Sequence, residues 1–148
     1  MKIKFFYHGS PKKIKGKFLL PNKPQDLEKK KENLRKAVYA TNLKKSAIAM
    51  ALICSKGVVS ASIDIKKGKK AIVYEGWPKQ KYVYLYTLPK KGFVKSKGIS
   101  GQHVSSEPVC LIKTERIKVK NYLNLIRKAT KKEIQEYLKK YRLRWKLR

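Results

Sequence analysis

Apolar residues in this chain come in short dense runs set between lysine-rich stretches, and the runs differ in period. Phe5-Phe6-Tyr7, with Ile3 just before it, is a bulky aromatic run of the kind that suits a pleated, packed surface, so it predicts a first strand. That run ends at His8-Gly9-Ser10-Pro11. Pro11 stops further pairing, and Gly9 permits an unusual backbone angle or the close approach of a ligand. A basic turn over 12–17 leads to a short apolar return, Phe18-Leu19-Leu20-Pro21. Ala37-Val38-Tyr39-Ala40-Thr41 predicts a second buried strand that feeds directly into a helix over 43–54. Apolar residues from Ala47 to Cys54 cover nearly its whole circumference, the mark of a core helix. Thr41 and Asn42 offer N-cap oxygens, and Gly57 stands where a glycine cap is expected.

From Val58 onward the pattern is one of strands, over 58–65, 71–74, 81–88, 93–94, 102–104, 109–112 and 117–119. The stretch Lys-Tyr-Val-Tyr-Leu-Tyr-Thr-Leu at 81–88 carries the strongest signal among them. The tail returns to helical spacing. Residues 121–127 carry Tyr122, Leu123, Leu125 and Ile126, Thr130 and Glu133 fit a capping box, and Ile134, Tyr137, Leu138 and Tyr141 form a stripe. Segment 26–36 is almost wholly charged and reads as a mobile loop or solvated turn, or else as a lid or a phosphate-contacting arm.

A single α+β domain fits a chain of 148 residues with 42% hydrophobic content. Charge adds a partner to that picture. There are 39 Lys+Arg against 9 Asp+Glu, a formal net charge of +30. That imbalance favours polyanions, whether RNA, DNA or an anionic membrane surface, while the preponderance of lysine over arginine argues for non-specific affinity rather than base reading. Cys54 and Cys110 each lie in an apolar run and read as buried free thiols. Two histidines and two cysteines far apart give no metal-site spacing. No apolar run is long enough to span a bilayer and the N-terminal apolar patch is too short for a signal peptide, so a cytoplasmic home is expected.

Three separated pieces acquire meaning together: His8-Gly9-Ser10 at the end of the first strand, Val38-Tyr39-Ala40-Thr41 followed by a helix with Ser46-Ala47, and Gln102-His103-Val104-Ser105-Ser106-Glu107-Pro108-Val109 late in the sheet region. In this order they resemble the ADP-ribosyltransferase-like superfamily, and within it the small PARP-like and rifampicin-ADP-ribosylating domains. The resemblance covers about residues 1–125 and leaves 126–148 as a basic C-terminal helical extension. It implies a split β-sandwich of two small, mainly antiparallel sheets with a buried helix, and NAD as the substrate. By that resemblance His8 bonds the adenosine ribose and the Gly9 backbone, beside Ser10, holds the nicotinamide amide. Tyr39, leading Ala40 and Thr41, packs on the nicotinamide ring, and Ser46 helps to hold the amide. The four residues His8, Ser10, Tyr39 and Gln102 should then converge on one cleft.

The pattern also departs from the family. Where the family commonly carries a catalytic glutamate on a late strand, this chain has Gln102, which can bond a ribose but brings no charge to an oxocarbenium-like transition state. A second ring-stacking tyrosine would fall near Ala49 or Met50 and is missing. Glu107 is the nearest acid, five residues on, and needs a bulge at Ser105-Ser106 to turn it toward the face of Gln102. RNA 2′-phosphotransferases of the same superfamily use several arginines, whereas before the late strand this chain has only Arg35. Three readings follow: an NAD-dependent transferase passing ADP-ribose to a nucleic-acid or nucleic-acid-bound acceptor; a degenerate relative acting as a basic module that binds nucleic acid or a ribonucleoprotein; or, from the basic tail alone, a structural partner in a larger assembly.

Overall fold

The structure, a computed structural model, describes residues 5–22, 36–64, 69–97 and 101–146, with 141–146 traced as backbone. In chain order come β1 (Phe5–Ser10), β2 (Phe18–Leu19), β3 (Val38–Thr41), α1 (Lys44–Ile53), β4 (Val58–Ser62) and β5 (Ala71–Gly76). After them follow β6 (Tyr82–Pro89), β7 (Val94–Lys95), β8 (Gln102–Ser105), β9 (Val109–Cys110), β10 (Lys113–Lys118), β11 (Ile126–Lys128) and α2 (Lys131–Lys146). The fold is α+β with mostly antiparallel sheets. A six-stranded sheet runs β10-β6-β1-β3-β8-β7, a three-stranded one β11-β5-β4, and β2 pairs with β9.

The aromatic run places β1 inside the large sheet, where Phe6 is buried on one face and α1 packs on the other. It pairs with β6 along its whole length, from Phe5 opposite Pro89 to Ser10 opposite Tyr84. Strand alternation then divides the side chains. Phe6, Val38, Ala40, Tyr86 and Leu88 join Leu19 and Val109 in one core under β2 and β9. On the other face Val83, Leu85 and Ile117 meet Ala47, Ile48, Ala51 and Leu52 of α1, and Ala71, Val73 and Ile126 of the small sheet close the same core. Coverage on both faces over 85–88 is why that part of β6 reads as an unbroken buried run.

Gly9 has a specific part in this packing. A Cβ at Gly9 would lie 1.9 Å from the Ala47 carbonyl oxygen, so the missing side chain is what lets the α1 backbone rest on β1. The close approach expected at this glycine is made by the protein's own helix.

Several sequence expectations are corrected. Residues 121–127 do not form a helix; 3-10 turns at Val119–Asn121 and Leu123–Leu125 lead into β11, which pairs in parallel with β5. Tyr122, Leu123 and Leu125 gain more by packing on the α1 core than by continuing a helix, and Ile126 is itself buried in that core. The expected extension over 126–148 is therefore helical only from Lys131, and 126–128 belong to the sheet. Helix α1 is N-capped by Leu43 without a side-chain cap bond, because Thr41 is still in β3, where its Oγ1 accepts from the Leu43 N–H at 3.2 Å. Both cysteines are free, as expected, but exposed rather than buried. Cys54 falls at the C-cap of α1, beyond its last full turn, and Cys110 faces the half-exposed Phe18 in a two-residue ladder.

Other expectations hold. The capping box forms: the Thr130 N–H donates to Glu133 at 2.9 Å, and the Glu133 N–H to Thr130 Oγ1 at 3.2 Å. Tyr137 on the expected stripe stacks on Tyr74 of β5 at 4.2 Å between ring centroids. The charged segment 26–36 lies, except for Lys36, outside the described residues. Among the described residues no helix is long and apolar enough to cross a membrane.

Candidate functional site

The three sequence motifs fall on three adjacent strands, with β3 between β1 and β8. Tyr39 pairs with Val104, Ala40 with His103 and Thr41 with Gln102, so the β3–β8 ladder is complete. The β1–β3 ladder is not. It consists of one pair, Tyr7 opposite Thr41, and among the described residues His8, Gly9 and Ser10 have strand partners only on the β6 side. The sheet opens there.

His8 bridges the opening. Its Nδ1 donates to the Tyr39 carbonyl oxygen at 2.7 Å, a bond that fixes the tautomer, since a carbonyl can only accept. Burial pushes the His8 pKa below its ordinary value and outweighs the Tyr39 carbonyl, which pulls the other way. The ring is neutral at pH 7, and its Nε2 is an acceptor suited to a hydroxyl donor such as that of a ribose.

The expected residues meet on neighbouring strands, but they do not share one face. Tyr7, Thr41 and Gln102 are cross-strand partners in one row, and Tyr39 shares their side by alternation. His8 and Ser10 point to the other side, with Ala40 and with His103, whose ring stacks on Phe6 at 4.2 Å. What His8 reaches is the main chain of Tyr39, not its ring. Gln102 and Thr41 are buried, Ser46 is buried in α1, and Tyr39 is half-buried.

Glu107 lies elsewhere. It is exposed in a turn after β8 that Ser105 organises: the Ser105 hydroxyl donates to the Glu107 carbonyl at 3.0 Å and accepts from the Glu107 N–H at 3.3 Å. That turn begins at Ser105 and Ser106, the place where a bulge would have been needed to bring Glu107 to the face of Gln102. No acidic residue lies on β1, β3 or β8. A carboxylate the sequence did not single out lies on the opposite edge strand of the same sheet, β10. Glu115 of β10 stands opposite Leu85, itself opposite Gly9, and pairs with Lys44 of α1 at 3.6 Å and Lys113 at 3.3 Å. Its place could be read only from the register.

Comparison with protein-family models, with curated proteins and with solved structures returns no match for this chain.

Proposed function

We propose that the chain is an NAD-dependent ADP-ribosyltransferase-like protein that passes ADP-ribose to a nucleic-acid or nucleic-acid-bound acceptor. One observation carries the reading: the ladder between β1 and β3 stops after Tyr7 and Thr41, at the residues that resemble the family's NAD-binding motifs. A ligand entering between two strands meets both faces of the sheet, so residues on opposite sides can share it. Nicotinamide would then dock its amide on the open backbone edge of Gly9 and Ser10 and lay its ring by Tyr39. His8 Nε2 would accept from a ribose hydroxyl. Gln102 would bond the second ribose.

A second reading has its own observation. With no acid on β1, β3 or β8, a positive transition state lacks the preorganised anion that lowers its energy. A basic binding module with a degenerate cleft accounts for that absence.

Calorimetry with NAD followed by an assay of nicotinamide release separates the two. Under the first reading NAD binds and nicotinamide is released, and Gln102→Glu raises release, on the order of 10²-fold, by restoring a charged group. Binding without release by the wild type or by Gln102→Glu supports the degenerate module. Absence of NAD binding in both defeats the transferase.

A further inference from the structure

Among the described residues, one face of the large sheet stays open beyond the core under β2 and β9. Tyr86 marks its limit, because the loop after β1 closes over it: the Tyr86 hydroxyl accepts from the Ile14 N–H at 2.7 Å and donates to the Lys12 carbonyl at 3.2 Å. One step further along β6 the same face presents Tyr84, and then Tyr82, both half-buried. Across the ladders Tyr84 lies between Ser10 of β1 and Arg116 of β10, and Tyr82 lies opposite Lys118. The Arg116 guanidinium stands over the Tyr82 ring at 4.3 Å from its centroid, with the Lys81 ammonium at 5.6 Å.

We propose that this Tyr82–Tyr84–Arg116 face is a docking surface for single-stranded RNA, placed to deliver an acceptor to the opening at His8 and Ser10. Charge complementarity supplies the first argument. Arg116, Lys118 and Lys81 surround the rings, and the exposed Lys12 and Lys13 form the rim. Among the described residues the acid nearby, Glu115, belongs to the opposite face, where Lys44 and Lys113 hold it. Among the described residues Arg116 has no carboxylate within ion-pair distance, so its planar fork is braced on an aromatic ring with donors left for phosphate. Tyrosine rings on a sheet give the second argument, because they stack on unpaired bases that a duplex would hide. Hydroxyls of Ser10, Tyr84 and Thr114 share the face and offer partners to ribose 2′-hydroxyls, which selects RNA over DNA. Ser10 Oγ already accepts from the Lys12 N–H at 3.2 Å, so its proton is available to donate.

The inference rests on the nucleic-acid part of the proposed function, and its test contains no NAD. Loss of RNA binding with intact nicotinamide release, or the reverse, therefore tells the two failures apart. The measurement is fluorescence anisotropy of a labelled uridine-rich RNA 12-mer, the same sequence as DNA, and an RNA duplex, over a range of salt. Tyr82→Leu should weaken single-stranded RNA binding roughly 5- to 100-fold, the range for losing one stacked base, and the deficit should persist at high salt. Arg116→Gln should weaken it by a factor that shrinks as salt rises, because a phosphate contact is lost. Tyr82→Phe keeps the ring and should bind as the wild type does, which also guards against a folding defect in Tyr82→Leu. Lys131→Gln with Lys132→Gln, on α2, removes charge elsewhere and should matter less than Arg116→Gln alone. Equal affinity for the duplex or the DNA overturns the assignment, as does wild-type affinity in both Tyr82→Leu and Arg116→Gln.

Discussion

Gly9 shows how much one absent methyl group can decide. A Cβ placed 1.9 Å from the Ala47 carbonyl and 3.0 Å from the Ala51 methyl cannot be relieved by a rotamer change, because the nearest atom is backbone. Gly9→Ala should therefore destabilise the fold by about 1–3 kcal/mol or more, the range for overpacking a core. Denaturant unfolding would measure it, and a loss under 0.5 kcal/mol, by contrast with that range, would mean that α1 can move off β1. Histidine chemistry gives the second expectation at this scale. His8 and His103 are the two histidines of the chain, and both have lowered pKa values. Burial is the main cause for each, and Lys95 and Lys90 add to it at His103. The unfolded chain therefore takes up protons as pH falls through the ordinary value of 6.5, while the folded chain resists. Stability should fall as pH drops below 6.5, and the variant carrying His8→Gln and His103→Gln should flatten that dependence in unfolding titrations at pH 7.5 and 5.5. A wild-type curve already flat over this window would contradict the burial argument.

Among the elements, what the sequence made legible was local. Strand β1, strand β6, helix α1 and the Thr130–Glu133 box each follow from a period or a fixed offset, and each forms close to where it was expected. What stayed hidden depends on register. Nothing in the spacing of His8, Tyr39 and Gln102 says that the first points away from the other two. Nothing in Lys113–Lys118 announces that Arg116 will stand over Tyr82. The misread turn at 121–127 is of the same kind, since its apolar residues serve the α1 core through 3-10 turns rather than a helix face. This has a measurable consequence. A chain ending at residue 130 keeps β11 and the bond from the Ala129 N–H to the Val73 carbonyl, and should unfold cooperatively. A chain ending at residue 125 loses buried Ile126 and the edge of the small sheet, and should not. Circular dichroism melts of the two would distinguish them, and equal cooperativity would restore 125 as the true boundary.

Over the whole molecule, positive charge and α2 share one anchoring device. Arg127 grips Glu133 through two bonds, at 2.7 and 2.9 Å, and these with the Thr130 N–H hold the carboxylate pKa down to about 2. Glu133 is thus ionised at any ordinary pH and ties the first turn of α2 to the end of β11. The capping signal in the sequence announced the turn but not the arginine that locks it.

The central place of β1 carries a further cost during synthesis. Its main partner, β6, begins about 75 residues later in the chain, which at ribosomal speeds of 5–20 residues per second is a wait of roughly 4–15 s. For that interval Phe5, Phe6 and Tyr7 form an aromatic segment without the strand that pairs along its whole length, β3 offering only the Tyr7–Thr41 pair, and such a segment can recruit a like one from a neighbouring nascent chain. Lys2, Lys4, Lys12 and Lys13 bracket it. Their repulsion keeps two such segments apart, a gatekeeping duty that ends once β6 arrives.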